Sequence, residues 1–544
     1  MASRVFDVVV VGGGVTGTGA ALDAASRGIE VALVEQRDYA SGTSSRSSKL
    51  IHGGLRYLEQ LEFGLVREAL NERNLMLTTI APHLAKPASF VYPLVRGLWE
   101  HLYVGAGILL YEALATGSGR SLPLHEHLSR EELLQLAPGL DPARIHGGIR
   151  YWDALVDDAR HTLMLARTAS AHGARLASST RVVDLETGPG PARTVLVVDL
   201  ETGEEIAIRT RSVINAAGIW SADIQRLAGA GGLEVTASKG IHLVVPRDRI
   251  VSQTGLILRT QVSVLFVIPW GDHWIVGTTD TPWTLRRAHP AASRSDLDYL
   301  LRWVNTVLAE PLEHDDIVGV YAGLRPLLSG ESDVTSKLSR EHAVLDGGEG
   351  MVTVAGGKYT TYRIMARDAV DAVTPYLGHP LPPSRTNRIP LVGALGIEGL
   401  AKPDHIQDAQ WQRLLGRYGA LARNLADLMT TQPDLGELVV GDAPYLRAEI
   451  VYAVTHEGAL HLDDALTRRT RMSVETSHRG LDAVEETTAL MGDLLDWPAE
   501  IRAREIEHYR ARVAAEIDSQ RQPDDQTADA ARMGAPDVRT GVAE

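Results

Sequence analysis

The chain has no cysteine among its 544 residues. That absence excludes disulfides, thiolate metal sites, iron–sulfur clusters and any cysteinyl link to a prosthetic group, and it is compatible with a reducing compartment. No metal site is expected. Long apolar runs are also missing: no stretch reaches the ~20 residues a spanning helix requires. The nearest, Leu102 to Leu114, is interrupted by Glu112 and by itself reads as a buried core helix. Basic charge is in short supply, with 54 Lys and Arg against 69 Asp and Glu and a net charge of −15, which argues against a nucleic-acid partner. Met1-Ala2-Ser3-Arg4 leads almost at once into an apolar run, so no signal peptide is expected ahead of the fold. What is present, 44% hydrophobic and 23% charged residues, describes a globular protein of two or three domains with ample core.

The opening carries the most information. Phe6 to Val11 reads as a strand, followed by Gly12-Gly13-Gly14-Val15-Thr16-Gly17, a small-residue helix from Thr18 to Arg27, and a second strand, Ile29 to Val34, ending on Glu35. Each part has a physical task in binding a dinucleotide. Gly12 permits the tight turn, Gly14 lets backbone approach a pyrophosphate, and Gly17 lets helix and sheet pack closely. The helix N-terminus presents free N–H groups and a positive dipole end to the anion. Glu35, 18 residues past Gly17, is placed to accept both ribose hydroxyls.

Residues 1 to about 385 alternate strand-like and helix-like segments. Val182-Val183, Thr194 to Leu200 and Glu205 to Thr210 read as an antiparallel meander, with turns at Gly188-Pro189-Gly190 and Thr202-Gly203. A strand then leads into Ile214-Asn215-Ala216-Ala217-Gly218, a second close approach of backbone to the cofactor. The block from about 235 to 345 is β-rich, as expected of an inserted substrate domain. Leu381 to Ser384 reads as a linker, and roughly 400 to 518 as helical, including Asp408 to Tyr418, Leu446 to Glu457 and Ala499 to Ile517. From Ser519 to Glu544 the composition turns to Pro, Asp, Gln, Ala and Gly, which predicts a disordered tail.

A hydroxyl-rich stretch with Thr43, Ser44 and Ser48 follows Glu35 closely and can donate to phosphates and to a flavin edge. His52, Arg56 and Tyr57 follow among glycines. Later come Arg325, Arg340 and a further glycine turn opening a helix, Gly356-Gly357-Lys358-Tyr359-Thr360-Thr361. Such a helix end can set its N–H groups against the flavin edge where negative charge accumulates on reduction. These additions favour FAD over a nicotinamide cofactor.

Seven motifs in order, GGGVTGTGAALDAASRG (12–28), TSSRSSKLIHGGLRYLE (43–59), YWDALVDDARH (151–161), VINAAGIW (213–220), IPWGDHWIVGTTD (268–280), GLRPLLSGESD (323–333) and AGGKYTTYR (355–363), resemble the FAD-dependent, quinone-linked glycerol-3-phosphate dehydrogenases of bacterial respiratory chains. The resemblance covers about residues 5 to 380, and Val439 to Glu475 is similar to that family's accessory domain. It implies an α/β fold: an FAD-binding Rossmann-like domain of the glutathione-reductase and D-amino-acid-oxidase type, an inserted β-rich substrate domain and a C-terminal α-helical domain. The expected bounds are 1–385 for the oxidoreductase region, with FAD-binding parts about 1–80, 150–230 and 345–380 and substrate-binding parts about 81–149 and 231–344. Residues 386–518 form the accessory domain and 519–544 the tail.

Carried over residue by residue, the resemblance implies a phosphate-binding cluster of Arg56, Tyr57, Arg325 and Arg340, with Lys358 and His52 near the reacting carbon. Cofactor contacts are implied at Gly12, Gly14, Gly17, Glu35, Thr43, Ser44, Ser48, Val182, Ala217, Gly218, Gly356, Gly357, Lys358, Thr360 and Thr361. A phosphomonoester dianion calls for guanidinium forks and an aromatic hydroxyl in one pocket. Oxidation at carbon 2 calls for a base near neutral pKa, for which His52 is the first candidate and His242 the second. A hydrogen-bonded structural histidine is the alternative for both. Arg325 doubles as stabiliser of the forming alkoxide, and Lys358 adds positive charge beside the flavin.

The expected reaction converts sn-glycerol 3-phosphate to dihydroxyacetone phosphate through non-covalently bound FAD and passes electrons to a membrane quinone. The resemblance also implies a cytoplasmic protein, peripheral on the inner face of the cytoplasmic membrane, with Leu102 to Leu114 as a docking segment. Whether it forms a homodimer is left open. The rival readings are a glycerol-3-phosphate oxidase using oxygen, an FAD enzyme acting on 2-hydroxy acids or amino acids, and a non-catalytic nucleotide-binding regulator.

Overall fold

The computed structural model describes all residues except 2–3, 59–60, 96–97, 115–121, 188–191, 230–233, 262, 329–341, 442 and 540–544, and except the side chains of 55–56, 98–99 and 187. The first strand, Val5–Val11, buries Val8, Val9 and Val10 completely. That pattern places it centrally in a sheet covered on both faces. It pairs in parallel with Val31–Val34 on one side and Glu205–Asn215 on the other, so that Val11 lies opposite both Val34 and Asn215. Met351–Gly356 extends the sheet in parallel beyond Glu205–Asn215, and Arg175–Ala177 does so beyond Val31–Val34.

The helices Val15–Ser26, Asp158–Ala171 and Tyr362–Ala372 cover one face. The expected meander, Thr180–Thr187 with Arg193–Asp199 and Glu205–Asn215, continues the sheet, and its Val182, Val195 and Val197 join Val9, Val11 and Val34 in the core of the other face. Its first turn, 188–190, lies outside the described residues.

A second sheet, of ten strands among the described residues, stands beside the first. Its longest strand, Val235–Pro246, pairs with Gly319–Leu328 along one edge and with His273–Gly277 and Thr281–Trp283 along the other. Alternate residues serve opposite faces: Leu243 and Val245 pack with Leu297, Leu300 and Leu301 of the helix Arg294–Val304, while Val244 packs with Phe90, Phe266 and Ile275. Gly147–Leu155 is a continuous strand of this sheet and pairs with Leu50–Ile51. The expected boundary between 149 and 150 therefore falls inside a strand, and residues 50–51 serve the second sheet.

The C-terminal part is helical, with Asp408–Tyr418, Arg447–Glu457 and Ala499–Ser519 at the expected positions. Two expectations are corrected. The segment after Ser519 is not a disordered tail through its described length. Asp525–Arg532 is a helix whose Asp525 meets the buried Lys239, and Arg539 donates to Ser179 Oγ at 2.7 Å and to Asp464 at 2.9 Å. Composition registers the scarcity of apolar groups there; it cannot register that the charges find buried partners.

The second correction concerns Leu98–Leu114, which is not a buried core helix. Gly105, Ile108 and Tyr111 turn inward, while Leu102 and Leu109 are 59% and 60% exposed and Tyr103 and Leu110 are also exposed. From Leu102 to Tyr111 the run carries no charged residue, so its sequence marks no inner face, and only one stripe meets the second sheet. Among the described residues no helix is long and apolar enough to cross a membrane.

Candidate active site

A cavity of about 580 Å³ opens where the strands Val5–Val11, Val31–Val34 and Glu205–Asn215 end. This is the crevice at the carboxyl ends of a parallel sheet where such folds bind ligands. Gly12 adopts φ +113°, and a Cβ there would come within 2.6 Å of the Ala216 carbonyl oxygen, so only glycine lets the two loops meet. Glu35 holds the loop from the next strand, accepting from the Gly13 N–H at 2.7 Å and from the Arg37 N–H at 2.9 Å. Gly14, Val15 and Thr16, at the start of the first helix, line the cavity, and that helix has no acid in its first turn.

The hydroxyls expected at the cofactor fasten the loop that carries them. Thr43 Oγ1 donates to the Leu324 carbonyl at 2.6 Å, Ser44 Oγ accepts from the Val15 N–H at 2.9 Å, and Ser48 Oγ lies 2.8 Å from His242 Nε2. All three residues line the cavity, as do Val182, Ala217, Gly218, Gly356, Gly357, Lys358 and Thr360. Gly17 and Thr361 stand outside its wall. Gly17 packs the helix against the Gly12 turn, and buried Thr361 closes the turn ahead of the helix Tyr362–Ala372. An acid-free helix N-terminus, a carboxylate at a strand end and two further glycine turns facing one cavity fit FAD.

His52, Tyr57, His242, Arg325 and Lys358 also line this cavity. The Lys358 ammonium sits 3.5 Å from the centre of the Tyr57 ring, a cation–π contact in a largely buried setting. Arg325 leans across Gly240, where a Cβ would stand 2.6 Å from Nη2. Its guanidinium donates to the Thr279 carbonyl at 3.1 Å and Thr278 Oγ1 at 3.0 Å and lies 3.5 Å from Asp280. His52 meets Phe266 edge-on and exchanges hydrogen bonds with Thr360 Oγ1 through its backbone. Of the remaining expected ligands, Arg56 lies in the turn Leu55–Leu58 with its side chain outside the described residues, and Arg340 is outside them entirely.

His242 is buried on the cavity wall. It stacks on Tyr321 at 4.8 Å, offers Nε2 to Ser48, and keeps Nδ1 buried without a hydrogen-bond partner. Burial, then the charges of Arg325 and Lys49, push its pKa well below the usual histidine value, so the ring is neutral at neutral pH.

The loop carrying Ser48 is held by residues the sequence reading did not single out. Asp158 accepts from the Ser47 N–H at 2.9 Å, Ser47 Oγ at 2.7 Å, Lys49 Nζ at 2.6 Å and Arg471 Nη2 at 2.7 Å. These bonds hold Lys49 in the left-handed region at φ 60°, which a non-glycine residue adopts only when its surroundings fix it. The one available signal for Asp158 was its place in the motif 151–161. Arg471, from the helical domain, carries no local signal.

The pattern of the FAD dependent oxidoreductase family matches residues 7–363, and that of the C-terminal domain of alpha-glycerophosphate oxidase matches residues 384–502. A glycerol-3-phosphate dehydrogenase of Mycobacterium leprae is 54% identical over 99% of this chain and 93% of its own length. The mitochondrial glycerol-3-phosphate dehydrogenase of Mus musculus is 35% identical over 92% of this chain and 72% of its own. Among solved structures, the glycerol-3-phosphate dehydrogenase from Bacillus halodurans complexed with FAD superposes with a TM-score of 0.77 at 26% identity, covering 94% of this chain and 95% of that one. With a glycine-loop cavity that fits FAD and this agreement along nearly its whole length, the chain belongs to the FAD-dependent glycerol-3-phosphate dehydrogenase family.

Proposed function

We propose that the protein oxidises sn-glycerol 3-phosphate at carbon 2 to dihydroxyacetone phosphate and delivers the electrons to a quinone in a membrane. The observation that carries the reading is the meeting of Arg325, Lys358, Tyr57 and His242 on one cavity that also presents the dinucleotide motif. Bound FAD would take up the two electrons that leave carbon 2 with its hydrogen. Arg325 and Lys358, with Arg56 and Arg340 from the sequence, supply positive charge for the phosphate and for the alkoxide that forms as the hydroxyl loses its proton.

The base we assign is His242. Its ring is neutral and free to accept a proton, Ser48 and Tyr321 fix its plane, and the substrate's phosphate dianion beside Arg325 would raise the basicity that burial and neighbouring cations depress. His52, on the same cavity, then positions the substrate. A quinone acceptor is supported by the exposed apolar face of Leu98–Leu114, which suits the headgroup boundary of a bilayer and holds the protein where quinone dissolves. On this reading the protein attaches to a membrane surface through that face.

Anaerobic addition of glycerol phosphate should bleach the yellow flavin absorption, and detergent-dispersed quinone should restore it faster than air. Absence of bleaching refutes the substrate. Restoration by oxygen alone, with stoichiometric peroxide, replaces the acceptor and makes the protein an oxidase.

A further inference from the structure

A second cavity lies behind the loop that carries Ser44 and Ser48, closed on one side by the substrate sheet and on the other by the helical domain and the last helix. Its volume is about 70 Å³, against the ~10–15 Å³ that one water-sized sphere needs. That is room for a tetrahedral oxyanion. The wall is cationic. Arg46 comes from the cofactor-side loop, Arg512 from Ala499–Ser519 and Arg532 from Asp525–Arg532, so three separate segments send guanidinium groups to one cavity.

The anionic side of this balance is short. Arg471 and Lys49, also on the wall, are already met by Asp157 and Asp158. Glu475 is occupied as an acceptor by Trp270 Nε1 at 2.7 Å and Tyr445 OH at 2.8 Å. Glu516 is shared by Arg512 at 3.4 Å and Arg532 at 3.3 Å, and Arg512 also meets Asp463. Arg46 has a 3.5 Å contact to the Ala322 carbonyl. Buried Arg479 reaches Gln520 on the cavity wall at 3.4 Å and leaves Nη1 without a hydrogen-bond partner. Arg46, Arg512 and Arg532 on the wall, with Arg479 just behind it, thus face Glu516 and Glu475 on the wall and Asp463 beyond it, four cations to three carboxylates, and a guanidinium does not shed its proton to escape burial.

The titration behaviour agrees. Burial and neighbouring cations draw Arg46 well below its ordinary pKa, and burial draws Arg532 down to about 10. Arg46 borders the cofactor cavity as well, so an occupant of the rear cavity would touch the wall of the front one.

We propose that this interdomain cavity binds a small oxyanion of the inorganic phosphate class, which completes the charge balance of Arg46, Arg512 and Arg532 and fastens the last helix to the catalytic domain. The site is separate from the one that receives the substrate and does not depend on the substrate's identity.

The test is equilibrium binding of radiolabelled inorganic phosphate to the FAD-loaded protein, with thermal unfolding followed in phosphate and in chloride of equal ionic strength. Phosphate should bind and should raise the unfolding midpoint where chloride does not. Arg532→Ala should weaken rear-site binding by about tenfold or more and remove the rear site's share of the thermal response, with Arg532→Lys keeping part of both. Arg325→Ala should leave both in place, because it alters only the front cavity. If Arg532→Ala does not fold, Gln520→Glu, which sets a carboxylate into the cavity, should remove phosphate binding instead. Phosphate binding that disappears in Arg325→Ala and persists in Arg532→Ala and Gln520→Glu belongs to the active site and overturns the proposal. So does a phosphate response no larger than that of chloride.

Discussion

Ser48 Oγ lies 2.8 Å from His242 Nε2, joining the loop after the dinucleotide motif to the longest strand of the substrate sheet, 194 residues away in the chain. One hydrogen bond thus connects the cofactor side of the cavity to the proposed base. Gly277 makes the arrangement possible, since a Cβ there would stand 2.4 Å from the His242 ring.

His242→Gln should lower the rate of anaerobic flavin reduction by roughly 10²–10⁴-fold, the range for loss of a general base. The wild-type His242 pKa is depressed by burial, then by Arg325 and Lys49, so its neutral form persists as pH falls through 6.5. The acid limb of kcat/KM should therefore lie below the ordinary histidine range in the wild type and vanish in the variant. A wild-type acid limb centred on 6.5 that His52→Ala removes would return the role to His52.

Arg325→Ala should leave FAD bound and cost at least ~2 kcal/mol in glycerol phosphate binding and reduction combined. The measurement is stopped-flow flavin reduction across substrate concentration. Unchanged kinetics would show that the phosphate is held elsewhere.

Asp158→Ala would strand Lys49 and Arg471 in the interior without their shared carboxylate. Loss of one partner from a buried ion pair costs ~3–5 kcal/mol, to be read from denaturant midpoints of the holoprotein. The same variant should release the Ser47–Lys49 turn and weaken FAD retention. A midpoint within error of the wild type would contradict the buried geometry.

Leu102→Glu with Leu109→Glu places two charges on the exposed face of Leu98–Leu114. Flotation with liposomes should show loss of membrane association, while flavin reduction by substrate in solution stays at the wild-type rate. Undiminished flotation would place the docking surface elsewhere.

His461 joins the helical domain to the meander. Burial opposes its charge, but hydrogen bonds to Glu201 and Glu505 prevail and hold its pKa up at about 9. A group raised above its unfolded value stabilises the fold fully below the unfolded value of about 6.5 and loses that contribution as pH rises through 9. Stability should fall between pH 6.5 and 9 by an amount that His461→Gln removes. A parallel fall in the variant would assign the effect to other groups.

The strand–glycine–helix–strand–acid order from Phe6 to Glu35 was legible because each part is local: φ freedom at Gly12, small residues along the helix, and a carboxylate one strand away. Helix periodicity likewise marked Asp408–Tyr418 and Arg447–Glu457. The motif resemblance placed His52, Tyr57, Arg325 and Lys358 on one list, the need for a base added His242, and all five share one cavity wall. Two readings failed for one physical reason. Whether Leu102 is covered, or Arg539 paired, depends on groups far away in the chain, and composition reports a segment's own chemistry without its neighbours. Asp158 and Arg471 are further cases: 313 residues separate two charges whose meeting fixes the loop beside the cofactor cavity. The local rules of backbone and glycine wrote the dinucleotide site into the chain, while the pairing of buried charges across domains was settled only on folding, because burial makes a charge seek whichever partner the fold brings near.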